Sequence, residues 1–67
     1  MKVSVNGSQR EISAESTVAD LLRELGLTGA TGVAVAVDRR VVPRADHAST
    51  ALYDGAAIDV IRAVGGG

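Results

Sequence analysis

Polar and apolar positions alternate from the start of the chain, Lys2, Val3, Ser4, Val5, which predicts a short strand. Asn6-Gly7 follows. Both residues tolerate the positive φ of a type I′ turn, so a hairpin returns through Gln9 to Ser13, where Ile12 is apolar. The period then changes. Val18, Leu21, Leu22 and Leu25 fall at i, i+3, i+4 and i+7, one face of a helix, with Asp20, Arg23 and Glu24 on the other. Thr17 with Asp20 three residues on reads as the N-terminal cap, and Gly26 as the left-handed C-terminal cap. After a small-residue loop, Thr28 to Gly32, the apolar run Val33 to Val37 reads as a buried central strand. Asp38, Arg39 and Arg40 mark a turn into Val41-Val42, which Pro43 ends. Ala45 to Tyr53 has no sustained period and reads as a crossover with a helical turn, closed by the tight turn Asp54-Gly55. In the last strand Ile58, Val60 and Arg62 alternate against Asp59, Ile61 and Ala63, heading toward Gly65-Gly66-Gly67.

Hairpin, helix, strand, short strand and final strand suit an α+β architecture: a mixed four- or five-stranded sheet with one main helix packed on one face. That is the β-grasp arrangement, in which the first and last strands lie side by side mid-sheet and the C-terminal residues leave the body. The predicted division is a domain over 1–64 and a flexible glycine tail over 65–67.

Length and composition restrict the chemistry. A chain of 67 residues supports one modest core, and with 46% hydrophobic residues and a single aromatic that core must be Val, Leu, Ile and Ala. The absence of cysteine removes disulfides and thiolate metal sites. A formal net charge of −1 argues against nucleic-acid binding, and one aromatic against base stacking. No apolar run approaches the ~18 residues of a membrane span, and no signal-like apolar stretch follows Met1. The expectation is a cytoplasmic protein with Met1 as initiator and both ends native.

Convergent catalytic groups are missing from the pattern. Ser and Thr have no partnered base, and the single histidine, His47, has no companion ligand, so it reads as an exposed loop residue. Asp54 and Asp59 read as a turn residue and an outward strand residue. Arg39, Arg40 and Arg44 are candidates for a basic edge contacting an acidic partner, with a solvated turn the simpler reading. Val64-Gly65-Gly66-Gly67 stands apart. Glycines enter channels too narrow for side chains, and four extended residues reach roughly 13 Å. A terminal carboxylate so presented is a poor electrophile until activated, most simply as an acyl-adenylate that a sulfur nucleophile can then convert to a thiocarboxylate. A plain glycine-rich end is the alternative use of the same residues.

Taken together the chain resembles the ThiS family of sulfur carriers of thiamine biosynthesis, within the ubiquitin-like superfamily, along its whole length. The likeness is carried by Val5-Asn6-Gly7, Thr17-Val18-Ala19-Asp20-Leu21-Leu22, Val33 to Val37, Val41-Val42-Pro43-Arg44, Asp54-Gly55, and Val64 with the terminal glycines. It implies a protein co-substrate rather than an enzyme. An E1-like adenylyltransferase would activate Gly67 with ATP and magnesium, a cysteine desulfurase or other donor would supply sulfur, and thiazole synthase would receive it. No bound cofactor, nucleic acid or membrane is implied. Gly66 and Gly67 would be the functional pair, with Gly65 extending the arm. Ala56 departs from the acidic residue that many members carry after Asp-Gly, which weakens any charge-based contact there. Carriers for molybdopterin or cysteine synthesis, a ubiquitin-like modifier and a plain interaction module remain alternatives.

Overall fold

Asn6 and Gly7 adopt φ of 51° and 86°, the paired positive values of the expected turn, and fold β1 (Lys2–Val5) back onto β2 (Ser8–Glu11). The computed structural model describes residues 1–27 and 32–62. The further elements are α1 (Val18–Glu24), β3 (Val33–Val37), β4 (Arg40–Val42), a 3-10 turn at Arg44–Asp46 and β5 (Ala57–Arg62). Most of the expected Thr28 to Gly32 loop, and residues 63–67, lie outside the described residues.

Among the described residues the sheet has five strands in the order β2-β1-β5-β3-β4. β1 and β5 are parallel neighbours in its middle, with Val5 opposite Ile58. β3 runs antiparallel to β5 from Val33 opposite Arg62 to Val37 opposite Ile58, and β4 pairs antiparallel outside it. This is the β-grasp order expected from the hydrophobic pattern.

The helix is fixed at both ends by local chemistry. Thr17 Oγ1 accepts from Asp20 N–H at 3.2 Å while Thr17 N–H donates to Asp20 Oδ2 at 2.9 Å, a reciprocal capping box. The next orphan amides are taken by the crossover: Val18 N–H donates to Thr50 O and Ala19 N–H to His47 O, both at 3.0 Å. At the other end Gly26, at φ 75°, donates to Arg23 O, and Leu27 N–H reaches Leu22 O at 2.8 Å, a Schellman closure. Hydrogen bonds from Thr17, backbone first and hydroxyl second, hold the Asp20 carboxyl below its ordinary value, with Arg23 adding to them. A lowered folded-state value means the carboxylate's contribution is present above its unfolded pKa, ~3.9, and is lost as pH falls through the folded value. The melting-temperature gap between wild type and Asp20→Asn should therefore hold steady near neutral pH and close in acid. A gap independent of pH down to the acid transition would show that the carboxylate charge does not support the cap.

Val18, Leu21 and Leu22 from the helix meet Val3, Val35, Val37 and Ile58 from the sheet, with Ile12, Leu52 and Ala56 completing the core. Val5, Val60 and Leu25, expected inside, are only partly buried at its edge. β3 also differs from expectation. Val35 and Val37 are buried but Ala34 is exposed, because the helix and crossover cover one face of the sheet only. The second strand begins at Ser8 and ends at Glu11, with all four residues exposed, and Ile12 beyond it turns into the core. The β3–β4 turn consists of Asp38 and Arg39 alone, at φ 49° and 68°, so Arg40 already belongs to β4. Asp38 anchors that turn through its N–H to Ala57 O at 2.8 Å and its Oδ1, which accepts from Ala57 N–H at 3.1 Å.

His47 corrects the sequence reading. It is 9% exposed, its carbonyl caps the helix, and its Nε2 lies 3.1 Å from Val42 O, so it ties the crossover to β4 and is not an exposed loop residue. Ala56 is fully buried and contributes to the core rather than to any partner surface.

Candidate functional site

The expected working residues, Gly65, Gly66 and Gly67, follow β5 and lie outside the described residues. The described structure defines the platform from which they depart. β5 is a central strand, joined to β1 on one edge and β3 on the other, and its last residue, Arg62, faces Val33. The glycine segment thus follows, in sequence, a strand that is paired on both of its edges.

At that end of β5 the N–H of Val60 donates to Asn6 Oδ1 at 2.8 Å, and Asn6 Nδ2 donates to Val60 O at 3.2 Å. The turn residue that closes the first hairpin thus also grips the last strand. The sequence marked Asn6 only as a turn former, because nothing in local spacing reveals a partner 54 positions away.

The face of the sheet turned away from the helix carries a second feature. Ile61 lies opposite Ala34, and Ala36 lies between Asp59 and Val41. Directly paired and alternate residues share a face, so Ile61, Ala34, Ala36 and Val41 form an apolar strip beside the departure point. Ile61 is 63% and Val41 75% exposed. The signal in the sequence was an isoleucine on the Asp59 side of the alternation in β5, against Ile58, Val60 and Arg62.

The candidate arginines do not gather at this end. Arg39 occupies the β3–β4 turn, and Arg40 faces Val37, which in turn faces Ile58 at the beginning of β5. Four strand residues, roughly 13 Å, separate that register from Arg62. Arg44 sits in the 3-10 turn and has an interaction partner within the fold. The three therefore do not form one basic cluster around the start of the tail. Asp54 and Asp59 are not paired carboxylates either: Asp54 Oδ1 accepts from Lys2 N–H at 2.8 Å, closing the start of β1, and Asp59 is outward on β5. Among the described residues no group of three or more His, Cys, Asp or Glu could hold a metal ion, and no buried side-chain nitrogen or oxygen lacks a hydrogen-bond partner. No helix among them is long and apolar enough to cross a membrane.

Fold and platform together define a β-grasp domain with a glycine-ended segment after its central strand. The chain belongs to the ThiS family, whose pattern it matches over residues 3–67. It is 39% identical over 67 residues to a thiazole synthase of Paramagnetospirillum magneticum, a match spanning 100% of this chain and 20% of that protein. The chain thus corresponds to about one fifth of that relative's length. The crystal structure of a thiamine biosynthesis protein (ThiS) from Geobacter metallireducens superposes with a TM-score of 0.84 at 29% identity, covering 100% of both chains. A solution structure of a thiamine biosynthesis protein from the same organism gives 0.82 at 29% identity, covering 100% of this chain and 88% of that one.

Proposed function

We propose that this chain is a sulfur carrier of thiamine biosynthesis, a protein co-substrate whose Gly67 carboxylate is adenylated and then converted to a thiocarboxylate. The observation that carries this reading is the family match extending through the terminal glycines, directly after the central strand β5. The chemistry requires Gly67 to carry a free carboxylate. An E1-like adenylyltransferase uses ATP and magnesium to make the acyl-adenylate, and sulfur from a cysteine desulfurase or another donor takes the place of AMP. Neither ATP nor magnesium is a resident cofactor of the carrier. Gly65, Gly66 and Gly67 carry no β-carbons, which suits entry into a narrow site.

Thiazole synthase is the acceptor we favour. A protein of that name contains a segment resembling this entire chain, and two activities held in one polypeptide gain the effective concentration of a tethered pair. The apolar strip of Ile61, Ala34, Ala36 and Val41 suits recognition, since exposed apolar residues clustered on one face mark interaction surfaces. Arg39, Arg40 and Arg44 are secondary candidates for an acidic partner, with Arg39 and Arg40 at the opposite end of β5 from Arg62.

The test is mass spectrometry of the chain after incubation with its E1-like enzyme, ATP, magnesium and a sulfur donor. One oxygen should be replaced by sulfur at the C-terminus. Ile61→Glu should fold as wild type yet be activated at least ~10-fold less efficiently, because an unpaired charge would then enter an apolar interface. High-mass conjugates would indicate a protein modifier, and an unchanged mass a plain interaction module. Equal activation of Ile61→Glu would remove the strip from the recognition surface.

A further inference from the structure

The parallel pairing of β1 with β5 carries Ser4 N–H to Ala56 O and Asn6 N–H to Ile58 O, each at 2.9 Å. One step further along β5, Val60 turns its N–H and C=O to the same edge, because successive strand residues present their peptide groups to opposite sides. A continuing β1 would meet them with a main-chain carbonyl and a main-chain amide. β1 cannot continue, since the positive φ values of Asn6 and Gly7 send the chain back into β2.

The Asn6 side chain supplies both missing groups. Its Oδ1 accepts from Val60 N–H at 2.8 Å and its Nδ2 donates to Val60 O at 3.2 Å. A carboxamide holds an acceptor and a donor side by side, as two main-chain groups of a continuing strand would, and an aspartate or a serine does not reproduce that pair of roles. The bond partners also fix its orientation: the oxygen must face the N–H and the nitrogen the carbonyl. β5 is therefore held on both edges as far as Val60, two residues beyond the last main-chain bond from β1.

We propose that Asn6 is a positioning residue for activation of Gly67: its carboxamide closes the final rung on the β1 edge of β5 and so fixes the end of the strand, Ile61 and Arg62, that residues 63–67 follow in sequence. This rests on the carrier reading above. In that reaction a Gly67 carboxylate oxygen attacks the α-phosphorus of ATP and pyrophosphate departs. Attack needs the carboxylate placed closely, and its placement is inherited from the last firmly held residue of the strand. With the rung open, β5 beyond Asp59 is held by β3 alone, and the carboxylate samples a wider volume at the enzyme.

Asn6→Gly separates the two jobs of this residue, since glycine accepts the φ of 51° without strain and removes only the carboxamide. Asn6→Asp keeps an acceptor for Val60 N–H but sets an oxygen against the Val60 carbonyl. Native-state amide exchange and ATP–pyrophosphate exchange with the E1-like enzyme are measured for both. In Asn6→Gly the Val60 amide should exchange ~10-fold faster, with Ile58 unaffected. Its activation kcat should fall ~10-fold at unchanged KM, because the docking face is intact and only the reacting end is displaced. Asn6→Asp should lie between. Wild-type kcat in Asn6→Gly, with or without faster Val60 exchange, overturns the proposal. So does faster exchange spread over the whole sheet, which would make Asn6 a residue of general stability. A wild-type chain that is never adenylated overturns the carrier reading and the positioning role with it, while the Val60 exchange result would still report whether the rung exists.

Discussion

Leu21→Ala is expected to remove much of the stability of this domain. Leu21 is fully buried at the centre of the helix face, against sheet residues that include Val3, Val35 and Ile58. A Leu→Ala change in such a site costs ~2–5 kcal/mol, because the lost transfer energy is joined by a cavity that the surroundings only partly fill. At ~0.05–0.15 kcal/mol per residue, a chain of this length has about 3–10 kcal/mol in total. The variant should unfold at far lower urea concentration than wild type, and may not be replaced as a probe by Leu25→Ala, whose partly buried site should give a clearly smaller shift. Equal midpoints for Leu21→Ala and wild type would mean that the helix does not cover the sheet through this face.

The elements were legible where local chemistry and tertiary need agree. Asn6-Gly7 demanded a hairpin, Thr17 with Asp20 demanded a helix start, and Val18, Leu21 and Leu22 faced one way because one helix must cover the sheet. Placing β5 beside β1 then followed from the order of elements. The turn at Asp38 and Arg39 was less sharply bounded, since neither residue is a glycine and their positive φ is held by bonds from Asp38 to distant Ala57. Leu52 gave no signal because an irregular crossover has no period to betray its inward position, and Ala56 stands alone between the Asp54-Gly55 turn and β5. His47 was misread for a related reason: its burial depends on contacts with the helix N-terminus and Val42, which no spacing within the crossover records.

At the candidate site the balance differs. The terminal glycines were conspicuous as composition, and the outward Ile61 was visible in the strand alternation, but its value emerges only when the register sets it against Ala34. The three arginines looked like one cluster along the chain. In the fold Arg39 and Arg40 stand at the far end of β5, so sequence proximity overstated their relation to the tail.

Deletion of Gly67 is expected to leave a folded, partner-binding protein that is activated ~100-fold more slowly, the loss that ~1 Å of misplacement can bring to an attack needing close alignment. The shortened chain still ends in Gly65-Gly66, so a carboxylate on glycine remains and its intrinsic reactivity is unchanged. What changes is reach, by one extended residue, ~3.3 Å. Gly66→Ala tests the complementary requirement, since a methyl group alters neither length nor charge but widens the arm. It too should spare the melting temperature and depress kcat, because residue 66 follows the last residue of β5, Arg62, by four positions and the core is formed by residues from Val3 to Ile58. The two variants can be compared by ATP–pyrophosphate exchange, with KM reporting docking and kcat reporting placement of the carboxylate. A defect in KM alone would assign the glycines to binding rather than to delivery. Wild-type rates for the deletion would show that the arm's length is not what the activating site measures, and the carrier chemistry would then have to tolerate a carboxylate set back by a full residue.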